Sequence, residues 1–167
     1  MLTYQSQSEA DSWRLAASLA QELTAGSLIR LDGPLGSGKT TFTKGLGQAL
    51  GIQRAIKSPT YTIVKQYPLA ESYHGIEVLT HIDAYRLEDG GAGSIDLDSF
   101  LTDGALVVIE WAEFVEEYLP ASYLSLSLQP GTDPHERTIQ LAVHGSNPDY
   151  EELLKNLSND LTKEREQ

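Results

Sequence analysis

The stretch SLIRLDGPLGSGKTTFTKGLGQALG (27–51) decides the fold. Its first part, SLIRLDG (27–33), reads as a short strand, and the segment from Lys39 to Leu50 reads as a helix. Phe42, Leu46, Ala49 and Leu50 form the apolar face of that helix, and Gly51 ends it. Between strand and helix lies GPLGSGKTT (33–41), two glycines framing four residues and followed by Lys-Thr. Glycines at 33, 36 and 38 let backbone N–H groups come close to phosphate oxygens. The helix N-terminus adds its dipole. Lys39 supplies a charge for the β- and γ-phosphates, and the Thr40 hydroxyl is suited to ligate Mg²⁺. Gly36, Ser37, Gly38, Lys39, Thr40 and Thr41 are therefore the candidate nucleotide-binding residues. Thr41 is open between an α-phosphate contact and a cap.

The remaining chain frames this unit. SEADSWRLAASLAQEL (8–23) reads as a helix, with Ser8 as N-cap, Asp11 in the capping-box position and Trp13, Ala16, Ala17, Ala20 and Leu23 at helical spacing. YTIVKQY (61–67) and GIEVLTHIDAY (75–85) alternate with period two around a turn-like SYHG and are expected to pair as an antiparallel hairpin. ALVVIEW (105–111) is a continuous apolar run, the pattern of a parallel strand buried on both faces. YLSLSLQ (123–129) and ERTIQLAVH (136–144) suggest a second hairpin. PDYEELLKNL (148–157) is a closing helix. The expected architecture is a single α/β domain over 1–157, a mixed β-sheet with flanking helices around a phosphate loop. Residues 158–167 are expected as a polar, frayed tail.

Composition narrows the function classes. A chain of 167 residues fits one well-buried core. It has no cysteine, which removes disulfides, thiolate zinc sites and cysteine nucleophiles. The longest strongly apolar run, ALVVI, is far shorter than the ~18–20 residues of a membrane span. The N-terminus lacks a basic start and an apolar stretch, so a signal peptide is not expected and a cytoplasmic location is. A net charge of −12 and the lack of a basic stripe argue against direct DNA or tRNA binding, because phosphate backbones recruit Lys and Arg.

Mg²⁺ beside a phosphate loop needs a second anchor, usually an acid at the end of a neighbouring buried strand. Glu110 follows ALVVI directly, and Asp83 ends the apolar part of HIDAYRL (81–87). Either carboxylate suits the metal, and either suits the attacking water. SPTYT (58–62) reads either as a switch loop, with a hydroxyl such as that of Thr60 sensing the γ-phosphate, or as a turn into a strand. His81 shares a strand face with Asp83, open between the site and a packed, hydrogen-bonded role. Trp111 reads as core, with a nucleotide or partner contact as the other option. Arg86 and Arg137 are the arginines nearest these motifs.

GPLGSGKTT, KSPTYTIV (57–64), HIDAYRL and VIEWAE (108–113), in this order and spacing, resemble the TsaE (YjeE) family over roughly residues 8–145. The resemblance implies an ATPase of bacterial tRNA threonylcarbamoyladenosine modification. It implies partners TsaD and TsaB, with tRNA reached only through them. Carried over by motif position, Lys39 binds phosphate, Thr40 and Glu110 bind Mg²⁺, Asp83 acts in hydrolysis and Thr60 belongs to a switch segment. Trp111 and Arg137 become nucleotide- or partner-contact candidates, as does Glu9 in a helix start near the adenine. Pro34, Ser37 and Ser12 depart from the family's usual acidic residue, alanine and threonine. The rival reading is a small-molecule phosphotransferase. Such enzymes clamp the transferring phosphoryl group with lid arginines, and this chain has six arginines in all, none clustered in a lid-like segment.

Overall fold

The computed structural model describes residues 1–167. In chain order the elements are β1 (Leu2–Ser6), α1 (Glu9–Glu22), β2 (Leu28–Asp32), α2 (Lys39–Ala49), β3 (Val64–Tyr73) and β4 (Ile76–Asp83). There follow the short α3 (Leu97–Phe100), β5 (Ala105–Glu110), β6 (Tyr123–Pro130), β7 (Arg137–His144) and α4 (Pro148–Arg165). Single-turn 3₁₀ segments lie at Tyr85–Leu87 and Ala92–Ser94, and a longer one spans Ala112–Tyr118.

The strands form one seven-stranded sheet in the order β1-β7-β6-β2-β5-β4-β3. Its centre is parallel: β2 pairs with β5 and with β6, and β4 pairs with β5. Both expected hairpins are antiparallel, β3 with β4 and β6 with β7, so the sheet is mixed. All six residues of β5 are buried, as its unbroken apolar run requires of a strand covered on both faces. On one face, α1, α2 and α4 supply Leu15, Leu19, Phe42, Leu46 and Leu157 to the larger apolar cluster. On the other, Leu97, Ala112 and Val115 close over Ile82, Val107 and Ile109.

β1 is an element beyond the sequence expectation. Its LTYQS buries only Tyr4 and Ser6, and it holds its place by antiparallel pairing with the edge of β7. The turn into α1 uses a variant of the expected capping box. Ser8 Oγ accepts from the Asp11 N–H at 3.1 Å, while Asp11 Oδ2 accepts from the N–H of Gln7 rather than of Ser8.

Two boundaries are corrected. The strand expected from 61 begins at Val64, because Thr62 and Ile63 donate to the Pro59 carbonyl in a turn and Ile63 takes φ 68°. The tail expected to fray from 158 is helical to Arg165. Leu161 continues the stripe of Leu153, Leu154 and Leu157 and is 7% exposed, so apolar burial carries the helix on. At its start, Asn147 Oδ1 caps Asp149 and Tyr150 with Pro148 inside the first turn.

Candidate functional site

β2 delivers the chain to the glycine loop at the middle of the sheet, beside the C-terminal ends of β5 and β4. At its exit, Arg30 Nε donates to both Asp32 oxygens at 3.0 and 2.9 Å. Burial pulls the Arg30 guanidinium down, but its hydrogen bond and charge attraction to Asp32 outweigh this and hold it above its ordinary value. A Cβ on residue 33 would meet the Leu128 carbonyl oxygen at 2.6 Å, so only glycine passes there. Gly38 then takes the left-handed conformation (φ 98°, ψ 19°) as the N-cap of α2. A glycine cap brings no side-chain acceptor, and the first turn of α2 carries no acid. The free amides and positive dipole end of α2 are therefore left for an external anion.

Around this loop opens a cavity of about 510 Å³. Gly36, Ser37, Gly38, Lys39, Thr40 and Thr41 line it from the loop and α2, and Thr60 lines it from the 58–62 segment. Asp83, Glu110, Trp111 and Arg137 complete the set expected from the sequence. The volume is within the ~300–1,000 Å³ range of small-molecule sites. Glu9 does not line it: it sits exposed on the first turn of α1.

The side chains are ordered by specific contacts. Lys39 Nζ donates to the Gly33 carbonyl at 2.8 Å and stands 4.2 Å over the Trp111 ring. Trp111 itself occupies the left-handed region (φ 56°), which is uncommon for a bulky residue and turns the chain immediately after Glu110. Its ring also packs against Tyr85 and Phe114. Thr60 Oγ1 donates to Asp83 Oδ2 at 3.0 Å, and the Tyr85 N–H donates to Asp83 Oδ1 at 3.0 Å. Ser58 and Thr60 share a 2.8 Å hydroxyl hydrogen bond. Arg137 clasps the loop from β7, with Nε donating to the Ser37 carbonyl at 2.7 Å and one terminal nitrogen to the Gly36 carbonyl at 3.2 Å. The family model of TsaE, "Threonylcarbamoyl adenosine biosynthesis protein TsaE", matches residues 6–139, the stretch that holds every residue of this cavity.

The chain belongs to the TsaE family.

It is 38% identical over 145 residues to the Bacillus subtilis tRNA threonylcarbamoyladenosine biosynthesis protein TsaE, covering 87% of this chain and 84% of that one. The Streptomyces coelicolor protein of the same description is 42% identical over 116 residues, or 68% of this chain and 76% of that one. The crystal structure of Bacillus subtilis YdiB superposes with a TM-score of 0.78 at 31% identity, covering 95% of both chains. The seven-stranded α/β domain is thus the architecture of a TsaE-family relative.

Within this TsaE-family site, Thr40 brings a hydroxyl, and Asp83 and Glu110 bring carboxylates, to one cavity. These are hard oxygen donors of the kind Mg²⁺ takes, and the set fits that ion with phosphate oxygens and water completing it. Leu35, Ser58 and Tyr85 also line the cavity without having been singled out from the sequence. Tyr85 lies inside HIDAYRL, so the motif itself carried the signal. Arg86 is elsewhere, stacked 4.5 Å from the Tyr61 ring centroid.

Proposed function

We infer that this chain binds ATP and hydrolyses it with Mg²⁺, as a component of the machinery that places threonylcarbamoyl on adenosine 37 of ANN-decoding tRNAs. The observation that carries this is one cavity lined both by the amide-rich start of α2, with Lys39 and Thr40, and by the acids at the ends of β4 and β5. A triphosphate laid on the helix start meets Lys39, which exchanges the Gly33 carbonyl for phosphate oxygens. Thr40 and Glu110 are the residues to hold Mg²⁺, which when bound neutralises charge on the β- and γ-oxygens. Asp83, whose carboxylate accepts from Thr60 and the Tyr85 amide, takes the role of orienting the attacking water; those two bonds support the reading. Thr60 ties the 58–62 segment to that acid, as a γ-phosphate-sensing switch requires. Trp111 and Arg137 flank the phosphates. Glu9 lies outside this cavity, and any contact of its own is with a partner or the base edge.

The acidic surface, with net charge −12, supports a division of labour in which TsaD and TsaB hold the tRNA and this chain docks on them in the cytoplasm. No helix is long and apolar enough to cross a membrane. Against the phosphotransferase alternative, Arg137 is the one arginine lining the cavity and is engaged on loop carbonyls, while Arg86 lies outside the cavity against Tyr61. The test is phosphate release from ATP by the chain alone and with TsaB–TsaD. Stimulation by the partners supports the reading; phosphate transfer to a small hydroxyl acceptor contradicts it.

A further inference from the structure

β4 and β5 run parallel, with Asp83 opposite Glu110 and His81 opposite Val108. Alternation along the strands places His81 and Asp83 on the same sheet face as Glu110. His81 is fully buried and Glu110 is 3% exposed, and His81 Nε2 lies 2.6 Å from Glu110 Oε2. The other ring nitrogen, Nδ1, is buried without any partner. An imidazole proton on Nδ1 would be a buried donor with no acceptor, and would leave the Nε2 lone pair facing a carboxylate oxygen at 2.6 Å. A proton on Nε2 pairs that nitrogen with the carboxylate and leaves Nδ1 an unpaired acceptor in place of an unpaired donor. His81 Nε2–H therefore donates to Glu110 Oε2.

We propose that His81 is a positioning residue for Glu110. It does not line the nucleotide cavity, whereas Glu110 does. By holding Oε2 from behind, it fixes the carboxylate plane and leaves Oε1 as the oxygen offered to the cavity. It is the one side chain hydrogen-bonded to Glu110. Without it the carboxylate is free to turn, and the metal or water that Glu110 holds loses its fixed ligand. This rests on the reading of Glu110 as a metal-holding acid.

The test compares the wild type with His81→Gln, whose amide nitrogen reaches the Nε2 position and donates, and with His81→Leu, which fills the space without donating. In the wild type free of metal and nucleotide, ¹⁵N NMR should show the His81 proton on Nε2. Mn²⁺ binding in the presence of ADP should weaken about 10–100-fold in His81→Leu and stay within about threefold of wild type in His81→Gln. Metal-free ADP binding should stay within about twofold in both, since His81 neither lines the cavity nor hydrogen-bonds a loop residue. The proposal is overturned by a proton on Nδ1, by wild-type Mn²⁺ binding in His81→Leu, or by His81→Gln binding Mn²⁺ ten times more weakly than wild type. If His81→Leu does not fold, the wild-type tautomer and the Gln variant decide. If Mn²⁺–ADP binds as expected but ATP is not hydrolysed, the positioning role stands and the ATPase reading fails.

Discussion

Thr60 Oγ1 donates a 3.0 Å hydrogen bond to Asp83 Oδ2, joining the 58–62 segment to the end of β4 across 23 residues of chain. The hydroxyl of Thr60 is thus on the acid that faces the cavity. The same carboxylate accepts the Tyr85 amide through its other oxygen, so both oxygens are held.

Thr60→Val keeps the shape of the side chain and removes the donor. A hydrogen bond to a charged group is worth about 1.5–3 kcal/mol, so ATP turnover should fall about 10–100-fold. Nucleotide affinity should change little, because Lys39 and the loop amides are untouched. Steady-state kinetics beside equilibrium ADP binding separates the two; equal losses in both would remove Thr60 from the catalytic step.

Arg137 joins β7 to the loop through the carbonyls of Ser37 and Gly36. Arg137→Met preserves much of the apolar stem and deletes these bonds. The loop should lose its fixed shape, so ATP affinity should weaken about 10-fold, in line with about 1.4 kcal/mol for one or two net hydrogen bonds. Calorimetric ATP binding checks this, and an unchanged affinity would mean that the clasp is dispensable.

Ser37 carries a buried hydroxyl with no hydrogen-bond partner. Leaving such a group unpaired costs about 1–3 kcal/mol. Ser37→Ala should raise the stability of the nucleotide-free protein by about 1 kcal/mol in urea unfolding. A loss of stability would show that the hydroxyl has a partner in solution.

Leu161→Ala tests the last turns of α4. With Leu161 at 7% exposure, truncation should cost about 2–5 kcal/mol. An effect below about 0.5 kcal/mol, the level of ordinary surface substitutions, would mean that the end of α4 does not dock.

Much of this was legible in the sequence because the signals were local. A strand, a glycine loop and a helix are contiguous, so residues 27–51 announced the loop and its cavity residues. The five apolar positions from Ala105 to Ile109 announced a central parallel strand and, with it, the placing of Glu110. What depended on distant pairing was harder to see. Tyr4 and Ser6 are too few buried residues to mark β1, whose position comes from its register with β7. The His81–Glu110 bond spans 29 residues and needs the β4–β5 register. The reach of Arg137 to the loop needs β7 to lie two strands from β2. Leu161 was hidden in a polar stretch, where one residue in helical phase with Leu157 and Leu154 was enough to extend α4.

The central claim is that nucleotide turnover, and not nucleotide binding alone, is what this chain contributes. The direct measurement is threonylcarbamoyladenosine formation on an ANN-decoding tRNA with TsaB, TsaD and a supply of threonylcarbamoyl donor, comparing the wild type with Glu110→Ala and recording ATP binding for both. The account predicts that Glu110→Ala still binds ATP but supports no more modification than omission of the chain. Full modification by Glu110→Ala would contradict it and leave the protein a structural, nucleotide-bound component.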